Sequence, residues 1–112
     1  MRPDERDASL VQDMIAFAEA TVRHSSKITF DDYVADELRR LAVERTIQLI
    51  GEAAYQLSPY FRAAHPSVPW PSIIGVRHVL VHGYADVDNA RVWRTAVEHV
   101  PVLLTVLKSL EL

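Results

Sequence analysis

At 112 residues the chain has room for one domain, spanning 1–112, and its lack of cysteine excludes a disulfide framework or a thiolate metal site. With 49% hydrophobic and 24% charged residues it has the balance of a globular protein. The net charge of −3 argues against non-specific nucleic-acid binding by overall charge, so any such contact must come from a local Arg and His cluster.

The charged opening Met1-Arg2-Pro3-Asp4-Glu5-Arg6 is followed by no apolar signal core. The longest apolar stretch, Val100 to Leu107, is interrupted by Thr105 and falls far short of the ~18 residues of a membrane span. With the missing cysteines, this gives a cytoplasmic location as the expectation. No repeat or low-complexity segment is visible.

In chain order, Leu10, Met14, Phe17, Ala18 and Thr21 recur at three- and four-residue steps, which predicts a first helix over about Asp7 to Ser25 with Asp4 or Asp7 as N-cap. Lys27 to Thr29 reads as a turn, with Thr29 or Asp31 as the next cap. A second, long helix is predicted over about Asp32 to Leu57. It carries one apolar stripe of Val34, Leu38, Leu41, Leu49 and Ala53 and another of Val43, Ile47, Ile50, Ala54 and Leu57. Two stripes predict packing on two sides and a central place.

Ser58-Pro59 opens a short helical piece, since proline at the first helical position gives up no needed N–H. Pro66, Pro69 and Pro71 mark one extended loop, anchored by burial of Trp70. A third main helix starts near Ser72 and ends at about His82, with Gly83 placed to stop it. The last helix, about Asn89 to Leu110, has Asp88 as cap and Pro101 as an internal kink. The expected fold is all-α: an up-and-down bundle of four main helices plus a short one.

Three groupings could carry chemistry. Arg77, His82 and Tyr84 combine a guanidinium fork suited to phosphate oxygens with an imidazole that can take or give a proton near neutral pH. Together Arg77 and His82 suffice for metal-free attack of an RNA 2′-hydroxyl on the adjacent phosphate. Five residues is ~140° of rotation on one helix, so the two converge only if the helix ends at His82 or a second subunit completes the site. The plainer alternative is that Arg77 pairs with a carboxylate and His82 sits on a helix C-terminus. His78 and His82 form an i, i+4 pair that could bind zinc, but no Glu follows the first His and a third ligand would have to be Asp86, Asp88 or a distant residue. Arg45 and Glu52, seven apart beside the stripe of Leu38, Leu41 and Leu49, read either as an internal salt bridge or as support for Arg77.

Arg77-His78-x-x-x-His82-x-Tyr84 resembles the Arg-x4-His-x-Tyr signature of the HepT-like toxins, a branch of the HEPN superfamily of small helical ribonucleases. Three further segments are similar to that family. They are Ile50-Gly51-Glu52-Ala53-Ala54 preceded by Arg45, Val68-Pro69-Trp70 leading through Ile73-Ile74-Gly75 to Arg77, and Tyr84-x-x-Val87-Asp88 followed by Val92-Trp93. The resemblance covers nearly the whole chain.

It implies an HEPN-like homodimer and a metal-independent endoribonuclease without a cofactor, acting on RNA such as tRNA, with Arg77 and His82 as the catalytic pair. His78, standing where Asn is more frequent, Arg45 and Glu52 would support the site. Tyr84 would receive AMP from a nucleotidyltransferase antitoxin, a bulky anion that silences the toxin. Gly83 stands where an acidic residue is frequent. The competing expectations are a non-catalytic helical dimer that docks a nucleotidyltransferase or binds nucleotide, and a metal-binding regulator using His78 and His82.

Overall fold

A computed structural model describes residues 3–82 and 87–110, with the side chains of Pro3, Asp4 and His82 outside that description. The described chain is helical, without strands, and folds as an all-α bundle. Its elements are α1 (Pro3–Ser25), α2 (Phe30–Ala35), α3 (Glu37–Gln56), α4 (Pro59–Ala64), α5 (Trp70–His82), α6 (Asn89–Arg94) and α7 (Val100–Lys108), with the π-helical turn Thr95–His99 joining the last two. Four long helical runs thus make the bundle, and α2 and α4 are short pieces between them. No described helix is long and apolar enough to cross a membrane.

Helix α1 lies along α3, α3 lies along α5, and α7 returns against α1. The stripe Val43, Ile47, Ile50, Ala54 and Leu57 is buried, with Val11, Met14 and Ala18 of α1 and Leu103 and Leu107 of α7 in the same core. Truncating one such Leu or Ile to Ala typically costs about 2–5 kcal/mol. The small buried hydroxyls of α1 are paired. Thr21 Oγ1 donates to Thr46 Oγ1 at 2.7 Å, joining α1 to α3, and Ser25 Oγ donates to the Thr21 carbonyl.

The boundaries follow local hydrogen bonding. Lys27 takes a positive φ of 62° at the α1 exit. Thr29 then starts α2 through a reciprocal box, its hydroxyl accepting from Asp32 N–H while the Asp32 carboxylate accepts from Thr29 N–H. Ser58 caps α4 and Asp88 caps α6, as predicted.

The structure corrects several expectations. Helix α1 starts at Pro3, so Asp7 lies inside it and caps nothing. Its carboxylate instead accepts from Ser58 N–H at 3.0 Å and Ser58 Oγ at 2.8 Å, tying α1 to the start of α4. The helix expected over Asp32 to Leu57 is two helices, because Asp36 leaves helical geometry (φ −108°, ψ 94°) and turns its side chain to Arg39 N–H as the cap of α3. Arg39 in turn donates to the His24 carbonyl, closing the α1–α3 corner.

Helix α3 is packed on two sides, by α1 and α5, but the first of its two stripes is only partly covered. Ala53 is buried, but Leu38 is 79% and Leu41 57% exposed. Finally, α5 begins at Trp70 rather than Ser72, with Pro71 in its first turn, where a missing N–H costs little. Trp70 is buried and donates Nε1–H to the His65 carbonyl at 3.0 Å. Pro101 falls where predicted. The ladder upstream of it widens to i→i+5 bonding instead of simply bending, Val100 N–H reaching the Thr95 carbonyl.

Candidate active site

The expected catalytic segment lies on α5, whose buried face of Trp70, Ile73, Val76 and Leu80 fixes the helix in the core. Arg77 is half-buried on the side that meets α3. There α3 presents Gly51, and the two helices come so close that a Cβ on Gly51 would stand 2.2 Å from Arg77 Cβ, 2.9 Å from its Cγ and 3.2 Å from the Ile73 carbonyl. The base of Arg77 is therefore held by backbone contact with α3.

One turn further along α3, Tyr55 offers its ring, and the Arg77 guanidinium carbon sits 5.7 Å from the ring centroid. Arg77 Nε is buried and has no hydrogen-bond partner among the described residues. A cationic side chain gripped at its root, stacked on a largely exposed tyrosine and carrying an unsatisfied donor is suited to bind an anion.

His82 is the last residue of α5, so its backbone ends the helix five residues after Arg77. Its side chain, Gly83 and Tyr84 lie outside the described residues. His78 is exposed on α5 and engaged in an interaction of its own. The supporting residues are placed less simply than expected. Arg45 is exposed and makes no ion pair with Glu52 among the described residues, whereas Glu52 is half-buried and accepts from Gln48 Nε2 at 3.3 Å. Glu52 follows Gly51 directly in the α3 segment that meets α5. Among the described residues no group of three His, Asp or Glu could hold a metal ion.

Sequence reasoning missed Gly51 and Tyr55 as partners of Arg77. Gly51 entered only as one residue of the Ile50–Ala54 segment that resembles the family. Its signal was the i, i+4 spacing of Gly51 and Tyr55, which puts a gap and a ring on one helix face.

This arrangement sits within a known family. The Ribonuclease HepT-like model matches residues 11–110. The chain belongs to the HepT-like ribonuclease family.

Similar proteins carry provisional names of the same kind. One from Methanocaldococcus jannaschii, named an RNase, is 29% identical over 93 residues, covering 83% of this chain and 85% of its own. One from Thermococcus cleftensis, named a ribonuclease HepT, is 31% identical over 93 residues, covering 83% and 84%. A third, from Caldanaerobacter subterraneus and named an RNase, is 38% identical over 76 residues, or 68% of each chain. No solved structure matches the chain. The all-α architecture expected of a HepT-like ribonuclease is the one described above.

Proposed function

We propose that this HepT-like ribonuclease is a metal-independent endoribonuclease toxin in which Arg77 and His82 cleave RNA, tRNA being the expected target. The observation that carries the proposal is the fixed Arg77. Its base is pinned against Gly51, its guanidinium stacks on Tyr55, and its Nε has no partner among the described residues.

In the reaction the RNA 2′-oxygen forms a bond to phosphorus as the bond from phosphorus to the 5′-oxygen breaks. The products are a 2′,3′-cyclic phosphate and a 5′-hydroxyl. A proton leaves the attacking hydroxyl and one reaches the departing oxygen, and His82 is the imidazole assigned to these transfers. Arg77 holds the non-bridging oxygens while charge builds on them.

Because the two residues are five apart on one helix, the active cleft is assigned to a homodimer that brings α5 of two chains together. Within this proposal His78 and Glu52 flank the pair and Arg45 contributes from α3. Tyr84 is the acceptor of AMP from a nucleotidyltransferase antitoxin, and the added anion beside Arg77 blocks RNA by charge and bulk.

The test is cleavage of total tRNA by the unmodified protein in excess chelator, with His82→Ala alongside. Cleavage by wild type alone, at similar melting temperatures, supports the reading. Equal cleavage by the variant removes His82 from the chemistry. Absence of cleavage by either, with Tyr84 bare by intact mass, favours a non-catalytic partner of a nucleotidyltransferase.

A further inference from the structure

A second cationic recess opens on the other side of α5. Gly75 stands two residues before Arg77, about 200° round the helix, and faces α6 instead of α3. Between α5 and the α6–π segment lies a cavity of about 280 Å³ lined by Ser72, Val76, Arg91, Arg94, Thr95 and His99. None of these six is a carboxylate. Glu98 accepts from Arg94 Nε at 2.9 Å in an exposed pair that does not use the terminal guanidinium nitrogens. Thr95 spends its hydroxyl on the Arg91 carbonyl, so the available donors are the two guanidinium groups, the Ser72 hydroxyl and His99.

Three features mark the recess as a built site. A Cβ on Gly75 would come within 3.1 Å of Arg91 Nη2, so the bare glycine leaves the guanidinium its place against α5. His99 Nδ1 is buried without a hydrogen-bond partner among the described residues, a state that costs free energy unless a ligand relieves it. The π turn also shapes the wall. Eight residues of regular helix would leave His99 about 80° round from Arg91, and the wider turn Thr95–His99 lessens the rotation and returns His99 towards the Arg91 side.

We propose that this recess binds a phosphodiester of the RNA strand away from the scissile bond, giving the enzyme a second, sequence-independent hold on its substrate. The inference rests on the ribonuclease reading above. Paired guanidinium groups, an imidazole N–H and a hydroxyl around a small cavity match the oxygens of one phosphate. Among the described residues no Phe, Tyr or Trp lines the recess to stack a base, which favours backbone over a free nucleotide. The site also localises positive charge in a chain whose net charge is −3.

The experiment measures binding of a single-stranded 2′-O-methyl RNA, which cannot be cleaved by 2′-attack, across a salt series. Wild type is compared with Arg94→Gln and with the Arg91→Gln/Arg94→Gln double variant. The expected result is several-fold weaker binding by the double variant and a log–log salt slope shallower by roughly 0.7, the value of one single-strand phosphate contact. KM for a long RNA should rise, whereas kcat/KM for a dinucleotide, whose single phosphate cannot fill both sites, should hold. Arg94 is exposed, so the single variant tests the same slope should the double variant fold poorly. Wild-type affinity and slope in folded variants, with long-RNA cleavage intact, would overturn this inference and leave the ribonuclease reading standing. A wild-type protein that neither binds nor cleaves RNA would overturn both. Loss of AMP binding in the variants with RNA binding unchanged would make the recess a free-nucleotide site and overturn the proposal.

Discussion

Gly51→Ala tests the α3–α5 contact directly, because two effects of opposite sign compete at that position. Within a helix interior, alanine is favoured over glycine by about 1 kcal/mol, so on propensity alone the variant should be more stable. Against this, the added Cβ would stand 2.2 Å from Arg77 Cβ and 3.2 Å from the Ile73 carbonyl. Ordinary contact begins near 3.4 Å, so 3.4 − 2.2 leaves 1.2 Å to be found.

Neither obstacle is the swinging tip of a side chain, so α3 and α5 must part or slide. Overpacking typically costs 1–3 kcal/mol, and an overlap this deep with a Cβ and a backbone carbonyl belongs at the upper end, about 2–3 kcal/mol. Setting the clash against the propensity gain, we expect a net loss of about 1–2 kcal/mol. At roughly 4 °C of melting temperature per kcal/mol for a chain of this length, thermal unfolding followed by circular dichroism should show a fall of about 4–8 °C. Cleavage should fall further than stability accounts for, since the same shift moves Arg77. A Gly51→Ala protein that melts at or above the wild-type temperature would refute the close approach, and with it the account of how Arg77 is held.

Other perturbations have equally definite outcomes. Tyr33→Phe removes a hydroxyl that is buried without a partner while keeping the ring 5.2 Å from that of Trp93, so urea denaturation should show unchanged or slightly raised stability, within about 1 kcal/mol. Burial, with the Glu44 charge beside it, already holds the Tyr33 phenol well above its ordinary value, so absorbance titration should find it protonated until strongly alkaline pH. Asp7→Ala strips both acceptors from Ser58 and should cost about 1–2 kcal/mol in the same denaturation assay; an unchanged midpoint would mean the α1–α4 tie contributes nothing. Asp32 and Asp36 are held below the ordinary carboxylate value of 3.8, chiefly by the Thr29 and Arg39 backbone N–H groups they accept from. A depressed folded-state value stabilises above the unfolded one, so their contribution should be complete above about pH 4 and be lost as pH falls through the lowered values. Asp32→Asn/Asp36→Asn should flatten that acid limb.

The helices whose caps and stripes agree were legible from sequence. Ser58 and Asp88 start the elements they were expected to start, and the Val43–Leu57 stripe is the buried face of α3. What failed depended on choices between local alternatives. Asp36 could continue a helix or cap one, and only the packed corner, where Arg39 reaches the His24 carbonyl, selects the cap. Asp7 looked like an N-cap because its true partner, Ser58, is 51 residues away.

The apolar residues Leu38 and Leu41 were assigned to the interior because periodicity records that a face is apolar without recording what covers it. Of the candidate site, Arg77 was legible by its chemistry. The means of holding it was not, since Gly51 contributes by lacking a side chain, and that is silent in a search for reactive groups.

The widened turn at Thr95–His99 bears on how this chain should be aligned with its relatives. A π turn houses one residue more than the regular helix it interrupts, without moving the flanking segments into a loop. Asn89–Arg94 and Val100–Lys108 can therefore keep their places on the bundle in a homologue one residue shorter. In such a comparison the gap belongs inside the last helical run, between Thr95 and His99, rather than in the neighbouring connection. Placing it elsewhere would shift Arg91 or Leu103 out of register and pair each with the wrong counterpart.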